Sequence, residues 1–186
     1  MRTWHWWIRG GLLGVVLLLV LPALGVRAEE VWGPFRGTVI DAETGQPLPG
    51  VVVLAFWLER WNALIETHTR FYDAREVLTG PDGTFEIPRL PRPLWPFRRI
   101  DSPSIRLFAP GYGFHRAVVT PPTGEEFVNP TVVEMRRLTT REERLRALRL
   151  GSLSATVPLE KQCLLRHAQN VEAEDLQLSP LPECAK

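Results

Sequence analysis

The chain has 186 residues, of which 45% are hydrophobic and 23% are charged, as in a globular protein with one sizeable core. Its formal net charge is only +1, so the sequence offers no electrostatic attraction to nucleic acid or to an anionic membrane surface. We therefore expect one domain with an appendage and no nucleic-acid partner.

The N-terminal stretch has the pattern of a secretory signal peptide. Arg2 and Arg9 are followed by an apolar run from residue 12 to 21, and small residues end the stretch at Val26-Arg27-Ala28. We expect cleavage after Ala28 and a mature protein in the periplasm or outside the cell, without stable membrane insertion. The alternative is an uncleaved anchor, because residues 10 to 26 approach the length of a transmembrane helix, about 20 residues.

Short strands are predicted after the leader. The first runs from Phe35 to Asp41 and ends in a loop rich in turn-forming residues. The next, Val51 to Leu58, is an unbroken apolar run, which indicates a strand covered on both faces, with a short buried helix as the competing interpretation. If alternate residues from Val51 onward face a second sheet, the intervening row from Val52 to Leu58 needs a cover of its own. We expect a C-terminal helix to supply it.

The middle of the chain is punctuated by turns. Residues 59 to 73 are predicted to form a long insertion loop with scattered aromatic residues. In Gly80-Pro81-Asp82-Gly83, the proline presets one turn angle and the last glycine allows a positive φ, which predicts a hairpin with arms at 74–79 and 85–88. Four prolines between Leu90 and Pro103 exclude a central strand and predict a surface loop. Strands near 105–108, 115–120 and 131–137 complete a predicted sandwich of antiparallel sheets.

The pattern becomes helical after Leu138. Thr140-Arg141-Glu142-Glu143 has the form of a capping box, so a helix is predicted from there to about Leu150. A second helix is predicted to begin near Pro158, a residue suited to a first helical turn, and to continue through Leu176.

Cys163 and Cys184 are the two cysteines of the chain. In an oxidising compartment an even number of cysteines favours a disulfide, although two free thiols remain the alternative. The pair lacks the ligand spacing of a zinc site.

The region from 33 to 138 resembles the carboxypeptidase regulatory-like domain, which has a prealbumin-like (transthyretin-like) fold. The resemblance rests on the following stretches: Gly37 to Asp41, Thr44 to Val53, Thr79 to Phe85, and Ala109 to Tyr112. It implies a seven-stranded antiparallel Greek-key β-sandwich at 29–138, between a signal peptide at 1–28 and a helical appendage and tail at 139–186. The stretches at 71–76, 110–113 and 140–145 are also similar to a group of exported bacterial proteins.

The resemblance further implies a stabilising or interaction role, because in carboxypeptidases this domain accompanies the catalytic unit and has no chemistry of its own. An enzyme branch of the same fold acts on 5-hydroxyisourate and ends in Tyr-Arg-Gly-Ser, a signature that this chain lacks. His68, His115 and His167 stand alone in their segments, outside any His-Glu-x-x-His arrangement. The sequence also lacks a Gly-x-Ser-x-Gly nucleophile elbow. We therefore expect neither enzymatic activity nor a cofactor or metal, and a hydrolase with an unfamiliar site is a remote alternative.

Aromatic and basic residues near the long loops form the predicted contact surface. Such rings can dock a protein or stack on a sugar, so we expect interaction with an envelope protein or, alternatively, carbohydrate binding by Trp57, Trp61 and Trp95. The competing interpretation is that the rings close one end of the core. The candidate residues are Trp57, Trp61, Trp95, Phe97, Arg98 and Arg99.

Overall fold

The computed structural model describes residues 29–62, 66–91, 99–118, 125–126, 130–150 and 156–184. The predicted signal peptide lies outside these residues. The described part is mainly β, with two sheets and two helices near its C-terminal end. A short helix, α1 (Glu29–Trp32), precedes the first strand. The strands are β1 (Phe35–Asp41), β2 (Val52–Asn62), β3 (Thr67–Leu78), β4 (Thr84–Ile87), β5 (Arg99–Ile100), β6 (Ser104–Ala109), β7 (Gly113–Val118), β8 (Glu125–Glu126) and β9 (Thr131–Met135).

The two sheets differ in size. The smaller has the order β4-β1-β9, and the larger has the order β3-β2-β6-β7-β8 with β5 also paired to β2. Most pairs are antiparallel, as expected, but β1 and β9 are parallel, and so are β7 and β8. A parallel pair needs a crossover connection, which a series of turn signals does not reveal.

An apolar core, which we call the first core, lies between the sheets. In β1 the burial alternates, so that Phe35 and Val39 face the larger sheet. Alternate residues of β2 and β6 in the larger sheet pack against them. Among these are Val53, Trp57 and Leu107, each with no exposed surface. This sandwich-like packing follows from the period of two along each strand.

The other face of β2 is covered by helix, as the unbroken apolar run predicts. The cover comes from α3 (Cys163–Asp175), which follows a 3₁₀ turn (Leu159–Lys161). Leu54 and its row neighbours join Leu165 and Ala168 of α3 in a second core. The row of β2 that turns away from the first core consists of Val52, Leu54, Phe56 and the partly buried Leu58. Both predictions about this strand are confirmed.

The predicted hairpin around Gly80–Gly83 is wrong, although the turn itself is present. The amide of Gly83 donates to the Gly80 carbonyl at 2.9 Å, and Gly83 has a φ of +73°. However, β3 pairs with β2, whereas β4 pairs with β1 in the other sheet. The turn therefore carries the chain from one layer to the other. A turn motif specifies local direction and leaves the choice of partner strand to long-range packing.

The predicted insertion loop at 59–73 is also wrong. Residues 59–62 continue β2, residues 67–73 form the first half of β3, and the two strands pair antiparallel along their length. Residues 63–65 lie outside the described part. The register shifts between Trp57 and Leu58, which breaks the alternation that a strand prediction relies on. Likewise, Leu90, Ile100 and Pro103 of the predicted surface loop from Leu90 to Pro103 are buried, and Arg99–Ile100 forms β5. Residues 92–98 lie outside the described part.

The first C-terminal helix, α2 (Arg141–Leu150), begins as predicted. The Glu143 amide donates to Thr140 Oγ1 at 3.2 Å, and the Thr140 amide donates back to Glu143 Oε2 at 3.3 Å, which confirms the capping box. Arg144 holds α2 against α3, because its Nε and Nη2 donate to the buried Glu172 carboxylate at 2.7 and 2.9 Å. Glu172 also accepts a hydrogen bond from the Gly111 amide, so one carboxylate joins both helices to the β6–β7 turn.

The second helix begins at Cys163, five residues later than predicted from Pro158. The reason is a long-range cap: the Glu76 carboxylate on β3 accepts hydrogen bonds from the Leu164 and Leu165 amides, each at 2.9 Å. These are amides that a helix start leaves without an intrahelical partner. The predicted disulfide between Cys163 and Cys184 is confirmed and ties the chain after α3 to the start of that helix. None of the helices in the described residues is long and apolar enough to span a bilayer.

Candidate functional site

The candidate site lies where the β2–β3 hairpin extends past its neighbours. β6 pairs with β2 only from Val52 to Phe56. Beyond Trp57, β2 is paired with β3 and with the two-residue β5. At the far end of the hairpin, the residues that the structure describes leave the Trp61 side chain exposed.

Trp57 marks the boundary between the core and this extension. Its side chain has no exposed surface, and its Nε1 donates to the Val31 carbonyl at 2.7 Å. The indole is thus packed in the first core, with its polar atom satisfied by the segment that precedes β1. Trp57 closes the end of the core, and its predicted place on a ligand or partner surface is wrong because a buried ring offers no contact area.

Trp61 is exposed and belongs to a group that we call the hairpin-end cluster: Glu59, Trp61, His68 and Arg70. Trp61 is 46% exposed and lies opposite His68 in the β2–β3 register. The two rings stack with centroids 5.4 Å apart and an interplanar angle of 23°. The Arg70 guanidinium lies 5.7 Å from the Trp61 ring centroid, within the range of a cation–π contact.

A buried carboxylate anchors this cluster. Glu59 is 8% exposed, and its Oε2 accepts hydrogen bonds from Arg70, with Arg70 Nη2 at 2.7 Å. Glu59 and Trp61 are two residues apart on one strand, so they share a face, and Arg70 and His68 oppose them on β3. The exposed indole thus contacts the His68 ring and the Arg70 guanidinium, and the ion pair with Glu59 holds Arg70 in place.

Of the remaining predicted site residues, the structure describes only Arg99. Arg99 is exposed on β5, where it pairs with Arg60 of β2, and Arg60 in turn makes an ion pair with Asp101 at 2.7 Å. The structure therefore brings Arg99 to the same end of the hairpin as Trp61. Trp95, Phe97 and Arg98 lie outside the described residues.

Sequence reasoning missed Glu59, His68 and Arg70 as members of the site. The usable signal was cross-strand pairing: once residues 52–62 and 67–78 are read as one hairpin, opposite charges and two rings fall opposite each other. Reading 59–73 as a loop removed that signal.

The histidines do not form a metal centre in the part of the chain that the structure describes, where no group of three His, Cys, Asp or Glu side chains is placed to hold an ion. His68 stacks on Trp61, His115 lies on β7, and His167 is exposed on α3. What the hairpin-end cluster offers is an aromatic contact area with a basic flank.

A carboxyl group with a strongly lowered pKa lies elsewhere, at a junction between the sheets. The Tyr112 hydroxyl donates to Asp41 Oδ2 at 2.6 Å, and the Glu43 and Thr44 amides donate to Oδ1. These hydrogen bonds, that of Tyr112 first, lower the pKa of Asp41 to about 2. The contact joins the end of β1 to the β6–β7 turn, so its role is to hold two loops together.

Comparison with models of known protein families, with curated proteins and with solved structures finds no match to this chain.

Proposed function

We propose that this chain is an exported, non-enzymatic β-sandwich module of the bacterial envelope that acts by binding another protein, and that the hairpin-end cluster is its contact surface. The observation that carries the proposal is the half-exposed Trp61, held in place by His68 and Arg70. Tryptophan and arginine are the residues most enriched at the energetic centres of protein interfaces.

The way the cluster is held favours binding. An exposed aromatic side chain normally loses rotamer freedom when a partner immobilises it, at a cost of about 0.5–1.5 kcal/mol per side chain. The stack on His68 and the ion pair between Arg70 and Glu59 already restrict these groups in the free protein. A partner therefore meets a surface that is ordered before binding.

Export of the chain rests on the sequence and on one covalent bond. The pattern of residues 1–28 is that of a secretory signal, with cleavage proposed after Ala28. The Cys163–Cys184 disulfide supports an oxidising compartment, because such bonds persist mainly in the periplasm or outside the cell.

The finer fold assignment is part of the same proposal. We infer a seven-stranded Greek-key sandwich of the prealbumin-like type at 29–138, related to the carboxypeptidase regulatory-like domain, with a helical appendage at 139–186. In support, the stretches that carry the resemblance meet in space. Asp41 binds Tyr112, Thr79 Oγ1 donates to the Leu48 carbonyl at 2.6 Å, and the Val39 amide donates to the Gly83 carbonyl at 2.9 Å.

Carbohydrate binding is the second candidate, and the exposure of Trp61 is the observation in its favour. The burial of Trp57 removes one ring of the predicted platform. In addition, His68 already stacks on the Trp61 ring that a sugar would need. Protein interaction is therefore the better-supported role.

The test is capture of envelope proteins on the purified chain, compared between Trp61→Ala and Leu78→Ala. Leu78 is a matched control because it is 50% exposed near the other end of the same strand pair. We expect a defined envelope protein to be retained by the wild type and by Leu78→Ala and to be lost with Trp61→Ala. Equal retention by both variants would contradict the proposal, whereas retention on immobilised glycans that Trp61→Ala abolishes would favour the carbohydrate alternative.

A further inference from the structure

A second candidate binding site lies beside the disulfide. The chain after α3 folds back along that helix, where the Asn170 side chain accepts a hydrogen bond from the Leu181 amide at 2.8 Å and donates to the Leu181 carbonyl at 3.3 Å. A pocket of about 200 Å³ lies between this tail and the helix. We call it the tail pocket; its lining residues are Cys163, Arg166, His167, Asn170, Glu183 and Cys184.

Arg166 is the unusual member of this pocket. Its side chain is almost fully buried, with a residue exposure of 7%, and among the residues that the structure describes its Nε has no hydrogen-bond partner. No carboxylate of the described residues forms an ion pair with it, and burial alone lowers the pKa of its guanidinium. Arginine is rarely buried without a paired anion, because removing a cation from water is costly. By contrast, the partly buried Arg144 of α2 has such a partner in Glu172 of α3.

The rest of the lining has matching hydrogen-bond chemistry. The Asn170 amide group carries two N–H donors, of which the bond to Leu181 uses one. The His167 ring is exposed and has a donor N–H in either protonation state. A guanidinium, an amide N–H and an imidazole N–H thus line one pocket.

We propose that the tail pocket binds a small oxyanion, a phosphate, sulfate or carboxylate group, with Arg166 as its principal ligand and Asn170 and His167 as further donors. A planar guanidinium suits this class of ligand because it donates parallel hydrogen bonds to two oxygens. The size agrees as well: about 200 Å³ holds a small group with some water and is below the roughly 300–1,000 Å³ of pockets for drug-sized ligands. This site is independent of the hairpin-end cluster.

Glu183 allows a second test of the proposal, because its charge is opposite to that of Arg166. Glu183 is one of the lining residues, and its negative charge is expected to repel an incoming anion. Removing this charge is therefore expected to tighten binding, whereas removing the Arg166 charge is expected to abolish it. A purely structural role for Arg166 predicts no effect of Glu183 on anion affinity.

The experiment titrates the full chain, with its disulfide intact, separately with inorganic phosphate, sulfate and acetate at constant ionic strength set by chloride. Saturation is followed by the NMR signal of the Arg166 Nε–H group and by the shift in Tm. We expect one of the three anions to bind saturably, at least about tenfold more weakly in Arg166→Gln, and about two- to fivefold more tightly in Glu183→Gln. The oxyanion that saturates first distinguishes a tetrahedral from a carboxylate ligand.

Arg146→Gln is the matched control, because it removes the same charge from an exposed position on α2 outside the pocket. It is expected to bind like the wild type. If Arg166→Gln does not fold, Arg166→Lys keeps the charge without the fork and is expected to bind more weakly than the wild type. Binding that is equal in all variants, or that chloride reproduces, would overturn the proposal, and so would an affinity that Glu183→Gln leaves unchanged.

Discussion

Leu54 lies in the middle of β2 on the face that α3 covers, and its side chain has no exposed surface. Leu54→Ala leaves a cavity between the sheet and the helix, and such changes destabilise proteins by about 2–5 kcal/mol. That is a large part of a total stability of about 5–15 kcal/mol. For a chain of this size the corresponding fall in Tm is roughly 4–20 °C.

The assay is urea and thermal unfolding followed by circular dichroism, with hydrogen exchange of the α3 amides as a local readout. Val132→Ala is the control, because Val132 is 65% exposed on β9, and surface changes of this kind usually stay within about 0.5 kcal/mol. We expect loss of stability and faster exchange in α3 for Leu54→Ala alone. If the two variants unfold alike, α3 does not cover this face of the sheet, and the account of the second core is refuted.

Three further predictions concern the links between elements. Replacing both Cys163 and Cys184 by Ser opens a loop with a sequence separation of 21 and is expected to lower the free energy of unfolding by about 3 kcal/mol. In denaturant titrations, the wild-type protein in reductant should be as stable as this variant. A variant as stable as the oxidised wild type would contradict the prediction. Hydrogen bonds, first that from Tyr112, lower the pKa of Asp41 to about 2. The ionised Asp41 therefore stabilises the folded protein above the ordinary pKa of about 3.9, and this stabilisation is lost as the pH falls towards 2. Asp41→Asn should flatten the acid unfolding curve over that range, and an unchanged curve would contradict the stabilising role of the Asp41–Tyr112 contact. Burial raises the pKa of Glu76, so the folded state retains its proton to higher pH than the unfolded state, and stability falls as the pH rises above the ordinary pKa of a glutamate, about 4.3. Glu76→Gln should remove this slope, whereas a slope that persists would show that another group causes it.

The fold was predictable wherever a local pattern determined it. The unbroken run at 51–58 required apolar cover on both faces, and Thr140 and Glu143 marked a helix start by their own hydrogen bonds. The disulfide followed from the number of cysteines and the expected compartment.

The errors arose where partners distant in sequence decide the structure. The turn at Gly80–Gly83 has the expected geometry, but β4 pairs with β1 of the smaller sheet, where Phe85 and Ile87 are buried in the core between the sheets. The start of α3 depends on Glu76, which is 88 residues from Leu164 along the chain. The register of the long hairpin shifts between Trp57, which faces Asp73, and Leu58, which faces Phe71, so the regular pattern of a strand pair is interrupted there.

The candidate site was predictable only in part for the same reason. Trp61 became a candidate because it lies near the long loops, whereas the burial of Trp57 depends on the segment that contains Val31, whose carbonyl accepts its indole N–H. His68 and Arg70 join the site only through the strand register.

The most direct test of the proposed interaction role is site-specific photo-crosslinking in living cells that export the chain. A photoreactive phenylalanine analogue is placed at Trp61 in one variant and at the exposed Val132 in another. The account predicts that the variant at position 61 forms a covalent adduct with a defined envelope protein and that the variant at position 132 does not. The absence of an adduct at position 61, or the same adducts at both positions, would contradict the proposal that the hairpin end is the contact surface.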